Sequence, residues 1–251
     1  VQASARFLSG ERLSVNTENL KLLVATHTHG SVLPGYAVSL ALLSARLAQA
    51  GVPFAPTLFL DSDVSRGRNE AAAAALDGGF SHLLFIDGDI EFRPEAVFRL
   101  LRAGKDVCGA TYRRKTDGEE YNHEFIPHRD GFVPSCPATG LLKIMRLGTG
   151  FMMISTDALR KMRAAIPEIA YKSRRPDGSW RNMWAFFAFE VHDTANGREI
   201  FSEDFNFCRR WTALGGEIWL DPEIQLKHWG PQSWDGDPMA HLGLEPVEAA
   251  A

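Results

Sequence analysis

From Leu20 to Tyr112 the chain alternates short apolar runs with polar, glycine-marked breaks and longer mixed stretches. Leu20 to Ala25 is a short apolar run, interrupted by Lys21, that leads into Thr26-His27-Thr28-His29-Gly30, which reads as a buried parallel strand followed by a loop. Pro34 stands near a helix start, and the apolar positions of Val38 to Ala50 suit a helix closed by Gly51. The cycle then repeats. Pro53 to Leu60 reads as a strand, Asp61 to Arg68 as a polar loop, and Asn69 to Leu76 as an alanine-rich helix ended by Gly78-Gly79. Leu83 to Ile86 is a third strand and Asp87 to Phe92 a loop. Pro94 to Ala103 is a helix stopped by Gly104, and Val107 to Tyr112 a fourth strand. Strands alternating with helices at this spacing predict an α/β fold, a mostly parallel sheet with helices on both faces.

After Tyr112 the rhythm breaks. Arg113 to Pro137 is polar and charged, a long loop of the kind that is functional or disordered. Leu141 to Arg146 and Gly150 to Ile154 read as strands, and Thr156 to Ala165 as a helix. Trp184 to Val191 and Arg198 to Phe201 flank Asn196-Gly197, a hairpin signal. Phe205 to Leu214 is a helix ended by Gly215-Gly216, and Glu217 to Leu220 a strand. This half is expected to be a smaller α+β lobe completing the sheet. Residues 1 to 20 read as a polar arm and the stretch beyond Trp234 as a weakly patterned tail. No linker-like stretch cuts the 251 residues, so one domain is expected over 1–251, with halves 20–112 and 113–237 and a tail 238–251.

Composition narrows the function classes. A formal charge of -4 at pH 7 argues against nucleic-acid binding, whose footprint is a strongly basic balance. Cys108, Cys136 and Cys208 are odd in number and form no C-x-x-C pair, the pattern of reduced thiols in a cytoplasmic protein. The longest apolar runs are far short of the roughly 18 residues that span a bilayer. The expected location is cytoplasmic, with attachment to the inner face of the membrane left open.

The sharpest chemical feature is His82-Leu83-Leu84-Phe85-Ile86-Asp87-Gly88-Asp89-Ile90. An apolar strand delivers two carboxylates, one residue apart, to the carboxyl edge of the sheet, where ligands of open α/β sheets bind. Hard divalent cations take oxygen ligands and bridge carboxylates to a diphosphate. Gly88 would let backbone approach the ligand closely. A loop of solvated aspartates is the plainer reading of these residues alone. A haloacid-dehalogenase-like phosphatase or phosphotransferase, with Asp87 as nucleophile, also places Asp-x-Asp after a strand. It expects Thr or Val where this chain has Glu91, and its motif lies on the first strand. The dinucleotide fingerprint G-x-G-x-x-G is missing after the first strand, and Gly148-Thr149-Gly150 lacks the third glycine. A Walker A loop, a G-x-S-x-G elbow and an H-E-x-x-H helix are absent.

Four ordered segments give the chain a family likeness: Thr26 to Leu40, Ser65-Arg66-Gly67-Arg68-Asn69, Leu83 to Asp89, and Ser202-Glu203-Asp204 running to His228-Trp229-Gly230. With them the chain resembles the GT-A glycosyltransferases, in particular small bacterial and phage-type proteins related to glycosyltransferase family 2. The likeness covers roughly Leu20 to Asp237. It implies a GT-A, Rossmann-like fold with an acceptor lobe, and a metal-dependent glycosyltransferase using a UDP- or GDP-sugar as donor. The acceptor would be a glycan, a lipid-linked group or a small molecule. The resemblance leans to inversion at the anomeric carbon, with a retaining enzyme of the same fold as alternative.

The same resemblance suggests roles. Thr26 and His27 would lie near the base or ribose, with Arg68 and Asn69 beside the nucleotide; a surface loop with an asparagine helix cap is the bland alternative. Asp89 and His228 would ligate Mn²⁺ or Mg²⁺, and Asp87 would share the metal or hold ribose or metal-bound water. Gly148, Thr149 and Gly150 would line the donor-sugar pocket, or simply make a tight turn before a strand. Asp204 would be the general base, with Glu203 orienting the acceptor or standing in as base. Carboxylates are stabilised at a helix N-terminus in any case, so plain capping also fits Glu203 and Asp204. Arg113, Arg114 and Lys115 read either as a solvated charge run or as a diphosphate clamp. Trp180, Trp184 and Trp234 read either as packing or as sugar platforms. A non-catalytic nucleotide-sugar binder would keep the fold and dispense with Asp204.

Overall fold

The computed structural model describes residues 19–126, 133–175 and 177–244. The arm up to residue 18, positions 127–132 of the long polar loop and the tail from 245 lie outside the described residues. The first half runs β1 (Leu22–Thr28), α1 (Pro34–Gln49), β2 (Phe54–Leu60), α2 (Val64–Asp77), β3 (His82–Ile86), β4 (Ile90–Glu91), α3 (Pro94–Ala103) and β5 (Val107–Gly109). The second half runs β6 (His123–Glu124), β7 (Leu142–Ile144), β8 (Arg146–Leu147), β9 (Phe151–Ser155), α4 (Thr156–Ala165), β10 (Ala170–Arg174) and β11 (Trp180–Trp184). It continues through β12 (Glu190–Thr194), β13 (Gly197–Phe201), α5 (Glu203–Ala213), β14 (Ile218–Leu220), β15 (Lys227–Trp229), β16 (Ser233–Asp235) and α6 (Pro238–His241).

Seven strands form the central sheet in the order β2-β1-β3-β9-β5-β14-β7. β1 runs parallel to β2 and β3, and β5 parallel to β14, while β9 and β7 run against their neighbours. The sheet is therefore mostly parallel, in a mixed α/β fold. Strand alternation divides the core in two. Leu22, Val24, Leu84, Ile86, Phe151 and Met153 pack with α1 and α3 residues such as Leu43, Leu47, Val97 and Phe98. Leu23, Ala25, Leu83, Phe85, Met152 and Ile154 pack on the other face with Ala71, Leu159, Met162, Phe207 and Trp211 from α2, α4 and α5.

Local signals set several boundaries as the sequence predicts. Pro94 opens α3 and Gly104 closes it in the left-handed region at φ 58°. The departures have physical causes. The polar run Asp61 to Arg68 is mostly helix, because the Asp63 carboxylate caps α2 by accepting from the Arg66 amide at 2.9 Å. Arg68 and Asn69 therefore ride on a helix. β1 continues through Thr28, paired with Leu60 on β2, so Thr26 and His27 are strand residues. β9 joins no separate lobe; it inserts antiparallel between β3 and β5. The expected strand over Trp184 to Val191 is the end of one hairpin, β10–β11, and the start of another, β12–β13. Asn196-Gly197 does turn the second hairpin, with Gly197 at φ 109°.

Candidate functional site

The carboxyl ends of β1 and β3 and the first turns of α2 surround a cleft of about 420 Å³, lined by residues that include His27, Ser31, Val64, Arg68, Asp87 and Asp89. Asp87 follows β3 directly, and its amide donates to the Gly150 carbonyl at 3.0 Å, which ties it to the start of β9. At Gly88 a Cβ would stand 3.0 Å from Val32 and 3.5 Å from Thr26, so glycine lets the β1–α1 loop close down on the turn. Leu33 N–H donates to the Gly88 carbonyl at 2.8 Å and fixes that closure.

Two clusters of charge flank Gly88. In the first, Arg68 from α2 reaches Asp87 at 3.4 Å and pairs closely with Glu203, the first residue of α5. Burial pushes the Glu203 carboxyl above its ordinary value; Arg68 opposes this, and the charges of Asp204 and Asp87 add to it. Asp204 is also buried, and its Oδ1 accepts from the Ser202 hydroxyl and from the Phe205 amide. Tyr112 completes this group. Burial, reinforced by the charges of Asp87 and Asp204, pushes its hydroxyl well up, and Asn122 Nδ2 donates to that oxygen at 2.9 Å.

In the second cluster the short β4–β15 ladder sets His228 opposite Ile90, one residue past Asp89. His228 Nε2 lies 3.4 Å from Asp89 Oδ2, and Lys115 Nζ lies 2.6 Å from the same oxygen. Burial raises the Asp89 carboxyl, but hydrogen bonds from His228 and Lys115 outweigh it and hold the group below the usual range. His228 Nδ1 lies 2.9 Å from the Arg113 carbonyl. A carbonyl only accepts, so Nδ1 carries the hydrogen toward Arg113, and Nε2 is the ring nitrogen turned toward Asp89. Tyr112 joins the clusters, its ring edge-on to His228 at 5.0 Å between centroids.

The expected site residues divide accordingly. His27, Arg68, Asp87, Gly88 and Asp89 line the cleft. Glu203 and Asp204 adjoin it through Arg68, and His228 through Asp89. Thr26 is fully buried, and its hydroxyl pairs with the Tyr36 hydroxyl in the core rather than facing the cleft. Asn69 spends both ends of its carboxamide on the Phe187 backbone, accepting at 3.0 Å and donating at 2.8 Å. Gly148 and Gly150 leave room for protein: a Cβ on either would collide with Asn122 or the Tyr112 ring. Thr149 is buried, its hydroxyl without a hydrogen-bond partner among the described residues. Burial and the Arg68 charge push the His27 imidazole down, and its Nε2 is likewise unpartnered among the described residues. Arg114 pairs with Glu120 away from the cleft, Trp180 is exposed, and Trp184 stacks near Arg163.

No family model matches the chain, and no curated protein matches it. Solved structures do. "A197 from STIV" is 17% identical over 84% of this chain and 86% of its own, with a TM-score of 0.49. UDP-glucose pyrophosphorylase, solved with UDP-glucose, is 8% identical over 87% of this chain and 93% of its own, with a TM-score of 0.43. A glycosyltransferase involved in glycosylation of the major capsid of PBCV-1 is 12% identical over 58% and 66%, with a TM-score of 0.30.

Tyr112 and Asn122 are the site residues that pattern reading passes over. Tyr112 ends an apolar run and Asn122 lies in a polar loop; the signal was the spacing Gly148-x-Gly150, two positions where a neighbour needs the room of a Cβ. Among the described residues no three His, Cys, Asp or Glu side chains converge as a ready metal shell, since Asp87 turns to Arg68. Asp89 and His228 do fit as a two-donor seat for a hard cation. They face each other, and the Arg113 carbonyl orients the histidine through its other nitrogen, as outer-shell partners of metal-binding histidines do. Among the described residues no helix is long and apolar enough to cross a membrane.

Proposed function

We propose that this cleft transfers a sugar from a nucleoside diphosphate sugar to an acceptor hydroxyl. One observation carries the reading: two carboxylates set one residue apart at the carboxyl edge of the sheet have different partners, Asp87 the cationic Arg68 and Asp89 the His228 seat. That arrangement suits a dianionic diphosphate lying across a cationic, metal-competent edge. Asp89 and His228 would hold Mn²⁺ or Mg²⁺, with Asp87 adding its charge beside them; the ion supplies electrophilic stabilisation of the departing diphosphate. His27, which lines the cleft, would lie beside the base or ribose.

The transfer is a single displacement with inversion. The acceptor oxygen bonds to the anomeric carbon, the bond from that carbon to the diphosphate breaks, and the acceptor proton passes to Asp204. Asp204 Oδ1 is engaged by Ser202 and Phe205, which aims the carboxylate, and Oδ2 serves as base. Glu203 holds Arg68 in place and acts through it.

The test is a donor panel: nucleotide release from UDP-, GDP- and other nucleotide sugars with Mn²⁺ or with EDTA. Metal-dependent release from one donor is expected, with kcat falling about 10²- to 10⁴-fold in Asp204→Asn while nucleotide affinity is kept. Unchanged turnover in Asp204→Asn removes the assigned base. Hydrolysis of a simple phosphate ester through Asp87, with no nucleotide sugar consumed, replaces the transferase with a phosphotransferase.

A further inference from the structure

Both aspartates beside Gly88 already face cations of the chain itself, but the two cations are held differently. Arg68 is buried between Asp87 and Glu203. Lys115 comes from a short ribbon closed by an Arg113–Tyr121 bridge and by the Arg114 amide bonding to the Glu120 carbonyl at 2.7 Å. The ribbon serves one carboxylate twice: the Arg113 carbonyl orients His228 toward Asp89, and the Lys115 ammonium sits on the Asp89 oxygen that His228 faces. The lysine stem runs beside Gly230, where a Cβ would stand 3.4 Å from Cδ and 3.6 Å from Cε. The Lys115 side chain is partly exposed, so its ammonium can exchange Asp89 for water without breaking the backbone bonds of the ribbon.

We infer that Lys115 is a resident competitor for the cation seat: a divalent ion binds Asp89 and His228 only by displacing the Lys115 ammonium. The displaced ammonium is then free for the diphosphate of the donor, a second step that rests on the transferase reading. The displacement concerns only Asp89, His228 and Lys115. It couples the two events, because the donor gains the Lys115 charge only when the seat is filled. Arg68 cannot play this part, since leaving would strand Glu203 in the interior.

Mn²⁺ alone is the probe, titrated by calorimetry into the full chain without nucleotide, with free Mn²⁺ followed by electron paramagnetic resonance. Lys115→Met is expected to bind Mn²⁺ about fivefold tighter than the wild type, the scale of one partly exposed ion pair taken out of competition. Lys115→Arg keeps the charge and is expected to stay near the wild type. Asp89→Asn is expected to lose the site in either background. Affinity unchanged or weakened in Lys115→Met, Mn²⁺ binding retained in Asp89→Asn, or no binding by any variant overturns the inference. Donor turnover is read separately: tighter Mn²⁺ binding with no nucleotide sugar consumed would remove the transferase reading and leave the displacement standing.

Discussion

On one side of Gly88, Asp87, itself 30% exposed, meets Arg68 and, behind it, Glu203, whose side chains are only 6% and 8% exposed. On the other side Asp89 meets Lys115, side chains 31% and 33% exposed. The two aspartates are equally exposed and their partners alike in charge; what differs is the medium of the partner, since Arg68 is buried against Glu203 and Lys115 is not. In the dry cluster an ion pair is held because either member left alone would be an uncompensated buried charge. In the wet cluster water can replace either partner, so the pair contributes little and can exchange. The transfer proposed above would use both kinds: a fixed charge frame that holds its shape between turnovers, and a seat whose occupant changes. The β3 turn supplies them one residue apart.

The largest effect expected from this contrast is on stability. Arg68→Met removes the cation between Asp87 and Glu203 and should cost about 3–5 kcal/mol in urea denaturation, the range for breaking a buried pair. The matching wet substitution, Lys115→Met, should cost no more than about 1 kcal/mol. Equal losses in the two variants would erase the distinction between the clusters. Next in size is Gly150→Ala. Its Cβ would stand 2.5 Å from the Tyr112 hydroxyl, so Tyr112 must move out of the space between the clusters, at about 1–3 kcal/mol for overpacking. The same variant should disturb the His228 ring that Tyr112 touches, visible as a shift of its imidazole resonances.

The ribbon that carries Lys115 has its own acid-sensitive anchor. His123 on β6 lies 3.0 Å from the Thr111 hydroxyl and packs edge-on against Phe125. Burial, joined by the charge of His241, pushes its imidazole down to about 4. A depressed histidine is neutral in the fold and takes its proton more readily when unfolded. Its contribution is therefore whole above the ordinary histidine range near 6.5 and is lost as pH falls from there through 4. Hydrogen exchange should show the 111–124 segment opening between those values while the amides around Arg68 stay protected. His123→Gln should flatten that dependence; equal opening around Arg68 would mean that the dry cluster is no more secure.

Much of this site is legible in the residues, and the missing part follows a rule. Asp87 and Asp89 stand out because a strand of four apolar residues precedes them, and a strand must end somewhere. Pro94 and Gly104 bracket α3 because each acts on its own backbone. Arg68 could have been placed on a helix, since Asp63 stands three residues before Arg66 in capping position. What pattern cannot supply is partnership. Thr26 and Asn69 are polar residues near a ligand cleft by sequence, yet they satisfy Tyr36 and the Phe187 backbone. Nothing in the run Phe151–Ser155 says that it enters the sheet antiparallel between β3 and β5, because strand order is decided by which faces can be buried together. That insertion is also what brings Gly150 to Asp87.

The smallest stability change expected is the most telling about the wet seat. Asp89→Asn deletes a carboxylate whose partners, Lys115 and His228, can both turn to water, so without metal the protein should lose no more than about 1 kcal/mol. The amide still offers an oxygen and still accepts a hydrogen bond, but it lacks the negative charge, and in a seat of two protein donors that loss weakens a hard cation's binding most. With Mn²⁺ added, a ligand that binds only the folded chain raises its stability by mass action. The wild type should therefore melt at increasing temperature as Mn²⁺ is raised, and Asp89→Asn should not. A variant that melts like the wild type at every Mn²⁺ concentration would move the ion away from Asp89 and leave the carboxylate to Lys115 alone. A variant that unfolds without metal would mean instead that Asp89 belongs to the frame, and that the two sides of Gly88 do the same work.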